Sequence, residues 1–515
     1  MNAPHYSARR IRASMIAFAI GKGISAPLSF LLILVLAAVM SRAEYASYIA
    51  TVAVLDIGVV LGTLGVDWVT QTTLAGIRVR GNAAQLRRAV LLLGVLPVAP
   101  YLLLAGALWT FAPQLSSALG AVAAPEVLRL YAVVLAIEGP TRLLRDSLMA
   151  ALLLQRTAQV SQVLRVVVTF SIVAAMALAG TPIEAVDVAR AEILAAAVAL
   201  CAAVAAVAWF LWTERPRGAL DGAIGAWVGW HSVRFAAHAY GSLLMMLQVG
   251  TDVMTALIAR YLGVDATAAF GFAVRLVETA RRYLPMDMFW GVLRPAAIGR
   301  FEDSGRDMRT LVRDVNRMVE ANLLVVGAGL VVAIAAGDGV VRLLSKGNVE
   351  VPPLLLLALV PLLATHTVRR AVELVAYVCN RSADFVRASM VSLLAPPAIA
   401  GALLATGRVH AAPLAVLAVD VLFIGVTMSA MSRAGHAVAF KRDRWVRLAA
   451  AVAGGGLAGA AAHAAVPGSV GTGIALAVGL CVYGALVAGL RVVDHEDRAW
   501  LAAVLKNRGH GRAGV

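Results

Sequence analysis

Charge is scarce in this chain. Only 14% of its 515 residues are Asp, Glu, Lys or Arg, whereas 61% are hydrophobic, and the mean hydropathy is +0.84. Soluble domains carry about a quarter charged residues, so a water-soluble fold is excluded and an all-α polytopic membrane protein is expected. Cysteine is nearly absent. Cys201, Cys379 and Cys481 each stand alone in apolar sequence, which excludes a disulfide framework and any zinc-ligand spacing. Catalytic signatures are missing as well: there is no HExxH, no GxxxxGK[ST] and no GxSxG, and the nine histidines are scattered. Metalloprotease, nucleotide-driven and serine-hydrolase chemistry therefore lack their residues, and a non-enzyme without a cofactor is expected. Long outer loops are also lacking. No outer connection exceeds about a dozen residues, which leaves no room for an extracytoplasmic catalytic domain.

What the chain has is a series of apolar runs separated by arginine. At about 20 residues per crossing, about fourteen spans are predicted, centred near residues 27, 57, 99, 138, 169, 199, 247, 280, 328, 366, 396, 422, 456 and 480. The net charge of +16 sits mostly in short connections, where it orients the chain rather than binding nucleic acid. Arg78, Arg80, Arg87 and Arg88 follow the second span, Arg156 the fourth, and Arg215, Arg217 and Arg234 the sixth. The series continues with Arg300, Arg306, Arg309 and Arg313, then Arg381 and Arg387, then Lys441, Arg442, Arg444 and Arg447. The intervening connections are neutral or acidic, as at Glu184 and Asp187, with Arg42, Arg260, Arg342, Lys346 and Arg408 as exceptions. Both termini are thereby placed in the cytoplasm. Arg9, Arg10 and Arg12 precede a first span without a small-residue cleavage site, so that span is expected to be retained.

The order of spans divides into an N-terminal lobe of about six helices over 1–212, an interfacial linker at 213–232, a second such lobe over 233–435, and two further helices with a tail over 436–515. A weak repeat supports the division. Gln155-Arg156-Thr157-Ala158 matches Asn380-Arg381-Ser382-Ala383, and laying one on the other places Arg145 on Arg370. Repeated halves are the usual frame of a site at a repeat interface. In the last two spans, Gly455 and Gly459 are at small-xxx-small spacing, which favours close helix packing.

Ionisable residues inside apolar spans are the candidate site. Glu138, Arg142 and Arg145 share one helical face, as do His366, Arg370 and Glu373, and Arg275, Glu278 and Arg282. Their cationic excess suits an anionic headgroup such as a diphosphate, which guanidinium groups bind through a planar fork of donors. Lys22, flanked by Gly21 and Gly23 in the first span, is a further candidate contact. The opposing expectation is that Arg281, Arg282 and Arg369 snorkel to the inner surface and that Glu278 neutralises Arg275. Asp56, Asp252 and Asp420 are acids set deep in apolar sequence, candidates for ion coupling or for structural pairing. Prolines within spans, including Pro140 near Glu138 and Pro361 near His366, are expected to interrupt helices beside them.

Two stretches resemble a known family. Leu28 to Val69 contains Arg42-Ala43-Glu44-Tyr45-Ala46-Ser47-Tyr48 followed by Asp56-Ile57-Gly58, and Thr251 to Leu276 reads TDVMTALIARYLGVDATAAFGFAVRL. They resemble the multidrug/oligosaccharidyl-lipid/polysaccharide (MOP) exporter superfamily in its Wzx-like polysaccharide transporter branch, over roughly residues 12 to 435. The resemblance implies two lobes of six helices around a cationic cavity with alternating access. It also implies a lipid-linked sugar substrate of the undecaprenyl-diphosphate type, a bacterial inner-membrane location, and a polysaccharide polymerase and chain-length machinery as partners. The peptidoglycan-precursor branch carries an Arg-Asp pair in its first helix; here Lys22 stands alone, which disfavours that branch. Three other expectations are carried beside the flippase. One is a cation-coupled drug exporter using Asp56 or Asp252, another a membrane-embedded glycan polymerase or ligase, and the third a scaffold in which the charges are structural.

Overall fold

The computed structural model describes residues 8–80, 83–213, 230–288, 301, 307–379, 381–437, 440, 442–466 and 468–493. Among them the regular structure is helical throughout. In chain order the helices are α1 (Ala8–Val39), α2 (Arg42–Gly62), α3 (Val66–Arg80), α4 (Ala83–Val95), α5 (Val98–Thr110), α6 (Ala112–Ala118), α7 (Pro125–Leu143), α8 (Gln155–Leu178), α9 (Ala185–Thr213) and α10 (Trp230–Leu247). They continue with α11 (Thr251–Arg282), α12 (Pro285–Met288), α13 (Met308–Leu344), α14 (Pro353–Val378), α15 (Ser382–Ser389), α16 (Ala395–Thr406), α17 (Ala411–Arg433), α18 (Arg442–Ala465) and α19 (Ser469–Gly489). A π-helical turn, Leu144–Met149, extends α7. Within the expected linker, residues 214–229 lie outside the described residues.

Twelve helical segments among the described residues are long and apolar enough to cross a membrane, which makes the chain a multi-pass membrane protein. Exposed Trp209 and Trp212 near the end of α9, and Leu103 and Leu178 elsewhere, are what a lipid-facing surface should carry. The expected spans near 138 and 247 are not among the twelve. With its π turn α7 runs from 125 to 149, about 37 Å of helix. It is long enough but carries Glu126, Arg129, Glu138, Arg142, Arg145 and Asp146. It packs against α2, α5 and α9, and of these residues Glu138 and Arg145 are buried in protein while Glu126, Arg129 and Asp146 are exposed.

The spans expected at 247 and 280 are displaced. Instead of one helix through 247, α10 ends there, the Gly250 N–H donates to the Leu247 carbonyl at 2.9 Å, and α11 begins at Thr251. The break has a local cause: glycine is a poor helix former, and an acid in the first turn, here Asp252, favours a helix start. Asp252 therefore opens α11 and is half-buried, rather than lying deep in a span as expected.

The chain divides into two compact units. The first comprises Met1–Leu276 and Ser389–Ala415, the second Val277–Ala388 and Val416–Val515. In the first, glycine lets helices close on one another around Tyr101 of α5. A Cβ on Gly62 would lie 2.1 Å from the Tyr101 ring and one on Gly139 2.4 Å from it. The wedged tyrosine donates to the Val59 carbonyl at 3.1 Å, so α2, α5 and α7 are held in contact where Asp56 and Glu138 face inward. Gly271 of α11 does the same against Ile49 of α2, with 2.3 Å to an added Cβ. One helical turn later comes Arg275. At the start of α2, the Glu44 carboxylate accepts from the Ala185 N–H at 2.7 Å, and Ser47 accepts from the Ala124 N–H at 3.2 Å. Two orphan donors at the starts of α9 and α7 are thus satisfied by α2.

In the second unit α13 packs against α14, α18 and α19. A Cβ on Gly455 would come within 2.8 Å of the Gly479 carbonyl, and one on Gly459 within 2.5 Å of Ala335 Cβ. Arg444 of α18 forms a buried ion pair with Glu320 of α13, and the Tyr483 hydroxyl donates to the Leu324 carbonyl at 2.7 Å. The last two helices are therefore docked on α13 by both close packing and polar contacts.

Candidate anion site in the membrane interior

A chain of alternating charges crosses the first unit. Asp56 Oδ1 on α2 accepts from Arg142 Nη1 at 2.7 Å, and Arg142 Nε donates to Glu138 Oε1, one turn earlier on α7, at 2.9 Å. The other Glu138 oxygen lies 3.2 Å from Arg165 Nε of α8, whose Nη2 is 3.7 Å from Glu192 of α9. At the opposite end Arg275 Nη2 of α11 is 3.9 Å from Asp56 Oδ2. Read in order, the series is Arg275, Asp56, Arg142, Glu138, Arg165, Glu192. Three guanidinium groups balance three carboxylates, which is how charge is tolerated where water is scarce.

Access differs among the three carboxylates. Arg142 is 27% and Asp56 23% exposed, whereas Glu138 is 0% and Glu192 9% exposed. Asp56 is thus the accessible acid, flanked by part-exposed Arg142 and Arg275 (18%), whereas Glu138 and Glu192 are buried around Arg165, which is itself 16% exposed. The buried hydroxyls of Tyr45 and Thr51 on α2 and Tyr131 on α7 have no hydrogen-bond partner among the described residues. Buried polar groups are rarely left so, and these are sites where ordered water would bind.

Arg145, the third residue of the expected stripe, is buried within the π turn that extends α7. The π turn from Leu144 to Met149 inserts extra backbone into the helical repeat, and Arg145 Nε is bonded to Asp146 at 2.9 Å. Lys22 is exposed on α1, with Nζ 5.7 Å from the Phe18 ring centre. Glu278 is half-buried near the end of α11, and Arg281 and Arg282 occupy its last turn.

The second unit holds its own charges on α14. Arg369 was expected to snorkel, but it is buried, donating to Asp420 Oδ1 at 2.8 Å and lying 4.4 Å over the Phe423 ring. Thr365 donates to the second Asp420 oxygen at 3.1 Å. Adjacent residues on a helix point about 100° apart. Accordingly Arg370 faces elsewhere, pairs with Glu373 at 3.0 Å and is 33% exposed. His366 Nε2 is 3.2 Å from Asp287 Oδ1 on α12.

No protein-family model and no curated protein sequence matches the chain. Solved structures do match. The structure of a lipid II flippase, MurJ, in an inward closed conformation superposes with a TM-score of 0.65 at 10% identity, over 92% of this chain and 99% of that one. An inward-facing multidrug resistance MATE family transporter of the MOP superfamily gives 0.59 at 13% identity, over 82% and 98%. A Vibrio cholerae MATE transporter, VcmN, gives 0.54 at 18% identity, over 83% and 96%. The chain has the MOP superfamily fold.

On this MOP fold the structure brings together Asp56, Glu138, Arg142 and Arg275 from the expected set, and separately Arg370 with Glu373. It adds two groups that the stripe pattern passed over. Arg165 stands alone in QVLRVVV and Glu192 in AEILAAA, so neither forms a stripe with a neighbour. The available signal was simply that each is ionisable within an apolar span. Chemically, the accessible end offers two arginines around one aspartate. A phosphate oxygen presents much the same planar-fork acceptor as a carboxylate, so an anion can take the place of Asp56 on either guanidinium.

Proposed function

We propose that this MOP-fold protein is a flippase that carries a polyprenyl-diphosphate-linked oligosaccharide, such as an O-antigen, capsule or exopolysaccharide repeat unit, from the inner to the outer leaflet of a bacterial inner membrane by alternating access. The observation that carries the reading is the accessible Arg142–Asp56–Arg275 cluster, with two guanidinium groups on one carboxylate at 2.7 and 3.9 Å. A diphosphate would be held there by Arg142 and Arg275, with Lys22 and Arg145 further cationic candidates in the same unit; in the other unit Arg370 is a separate candidate contact for an anion. Against a cation-coupled drug exporter, Asp56, Glu138 and Glu192 each have a guanidinium within 3.9 Å, which suits an anion-exchanging site better than a carboxylate awaiting a cation. A polysaccharide polymerase and chain-length machinery would then act on the product.

The test is complementation in a host from which the gene has been deleted. Arg142→Ala and Arg275→Ala should each abolish surface polysaccharide while the protein stays in the membrane at normal levels. Normal polysaccharide with both variants would sink the assignment, and restored drug resistance in place of polysaccharide would favour the exporter.

A further inference from the structure

One rim of the first unit sets unmatched positive charge beside exposed indole rings. Arg87 and Arg88 lie in the first two turns of α4, where the apolar segment Ala84–Thr110 begins, and Trp209 and Trp212 lie where the segment Ala185–Thr213 ends. Arg87 Nη2 donates to the Leu211 carbonyl at 3.1 Å, which holds the two ends side by side. Beneath them Leu86 and Ala89 of α4 share one buried apolar cluster with Ala203 and Phe210 of α9. Trp209 is 71% and Trp212 85% exposed. Indole rings placed so at the end of a span mark the depth of the lipid headgroups.

Arg87 and Arg88 are both exposed, and neither forms an ion pair among the described residues. α4 carries no acid, and the acids of α9, Asp187 and Glu192, lie near its other end. Arg78 of α3 is used differently: it donates to the Leu152 carbonyl and lies 5.3 Å from the Phe210 ring centre. In the second unit, Arg369 and Arg444 are each matched by a carboxylate. On α4 the spacing i, i+3, i+4 and i+7 puts Arg88, Leu91, Leu92 and Val95 on one exposed face. About 10 Å of apolar surface therefore runs into the membrane directly below the guanidinium groups. A headgroup phosphate and the acyl chain below it would meet matching surfaces in that order.

We infer that this rim binds one anionic glycerophospholipid of the bilayer, its phosphate held between Arg87 and Arg88 and an acyl chain laid along Leu91 and Val95. Guanidinium groups bind phosphate through paired N–H donors and stay charged at every relevant pH. The indole rings of Trp209 and Trp212 flank the bound lipid. The site is independent of the diphosphate reading above, because α4 and the end of α9 contribute nothing to the Arg142–Asp56–Arg275 cluster.

The experiment places the full-length protein in phosphatidylcholine nanodiscs and adds phosphatidylglycerol with brominated chains, which quench nearby tryptophan. Subtracting the signal of a Trp209→Phe, Trp212→Phe variant isolates the rim. Quenching should saturate at a mole fraction about thirtyfold below that needed with brominated phosphatidylcholine, from two arginines at the membrane surface. The preference should disappear in Arg87→Gln, Arg88→Gln and in about 1 M salt. Arg87 also ties α4 to α9, so Arg88→Gln alone is the second variant; it should lose about fivefold of the preference with helix content unchanged. A preference below about threefold in the wild type, or one undiminished in both arginine variants, overturns the site. Complete displacement of phosphatidylglycerol by about a tenth as much undecaprenyl diphosphate would assign the rim to that lipid instead and overturn the proposal equally.

Discussion

Replacing Arg165 by methionine removes the one guanidinium that Glu138 and Glu192 share. At separations of 3.2 and 3.7 Å, an effective dielectric of about 20 gives gross attractions of about 5 and about 4.5 kcal/mol. Much of that is offset by the cost of burying the charges, so the net loss on breaking the pairing is expected to be about 3–5 kcal/mol. Methionine fills similar volume, which separates the charge effect from a cavity. The assay is equilibrium unfolding in mixed micelles, followed by helical circular dichroism. Adding Glu192→Gln removes one stranded carboxylate, while Glu138 keeps Arg142 at 2.9 Å. The double variant should therefore recover about half of the loss, and the cycle should show coupling of at least about 1 kcal/mol. A single-variant loss below about 1 kcal/mol, or strict additivity, would refute the view that Glu138, Arg165 and Glu192 form an energetic unit.

Neighbouring arginines on α14 should behave oppositely. Arg369→Ala strands buried Asp420 and is expected to cost about 3–5 kcal/mol, read as lost protein in the membrane fraction. Arg370→Ala, at a half-exposed pair, should cost less than about 1 kcal/mol while sharply lowering surface polysaccharide. Gly139→Ala drives a methyl into the Tyr101 ring and should destabilise by about 1–3 kcal/mol, with Tyr101→Leu in the same chain restoring most of it; the same unfolding assay reads both. Gly459→Leu should undock α18 from Ala335 and α19, seen as faster protease cleavage between α17 and α18 with the rest of the chain intact.

The membrane architecture was legible in the sequence because a bilayer imposes one demand, a run of about 20 apolar residues, and short arginine-bearing connections punctuate those runs. Legibility failed where a single residue changed the helix. Gly250 ended α10 and moved Asp252 from mid-span to a first turn. The π turn over Leu144–Met149 lengthened α7, and no feature of the sequence LRDSLM marks such a turn. Tertiary partners were harder still. Arg165 and Glu192 lie 27 residues apart in sequence, and what joins them is α8 packing on α9. Likewise, Arg369 and Arg370 look equivalent on paper. Asp420, from a helix 50 residues away, decides which is buried.

The most direct measurement is translocation itself. In proteoliposomes holding the purified protein, a fluorescent short-chain polyprenyl-diphospho-sugar placed in one leaflet should appear in the other far faster than in protein-free vesicles. Arg142→Ala and Arg275→Ala should reduce that rate to background, whereas a lipid of the same chain without the diphosphate should not move in any of them. Translocation by both arginine variants at the wild-type rate, or movement independent of the diphosphate, would contradict an anion-carrying role for the accessible end of the ion-pair chain.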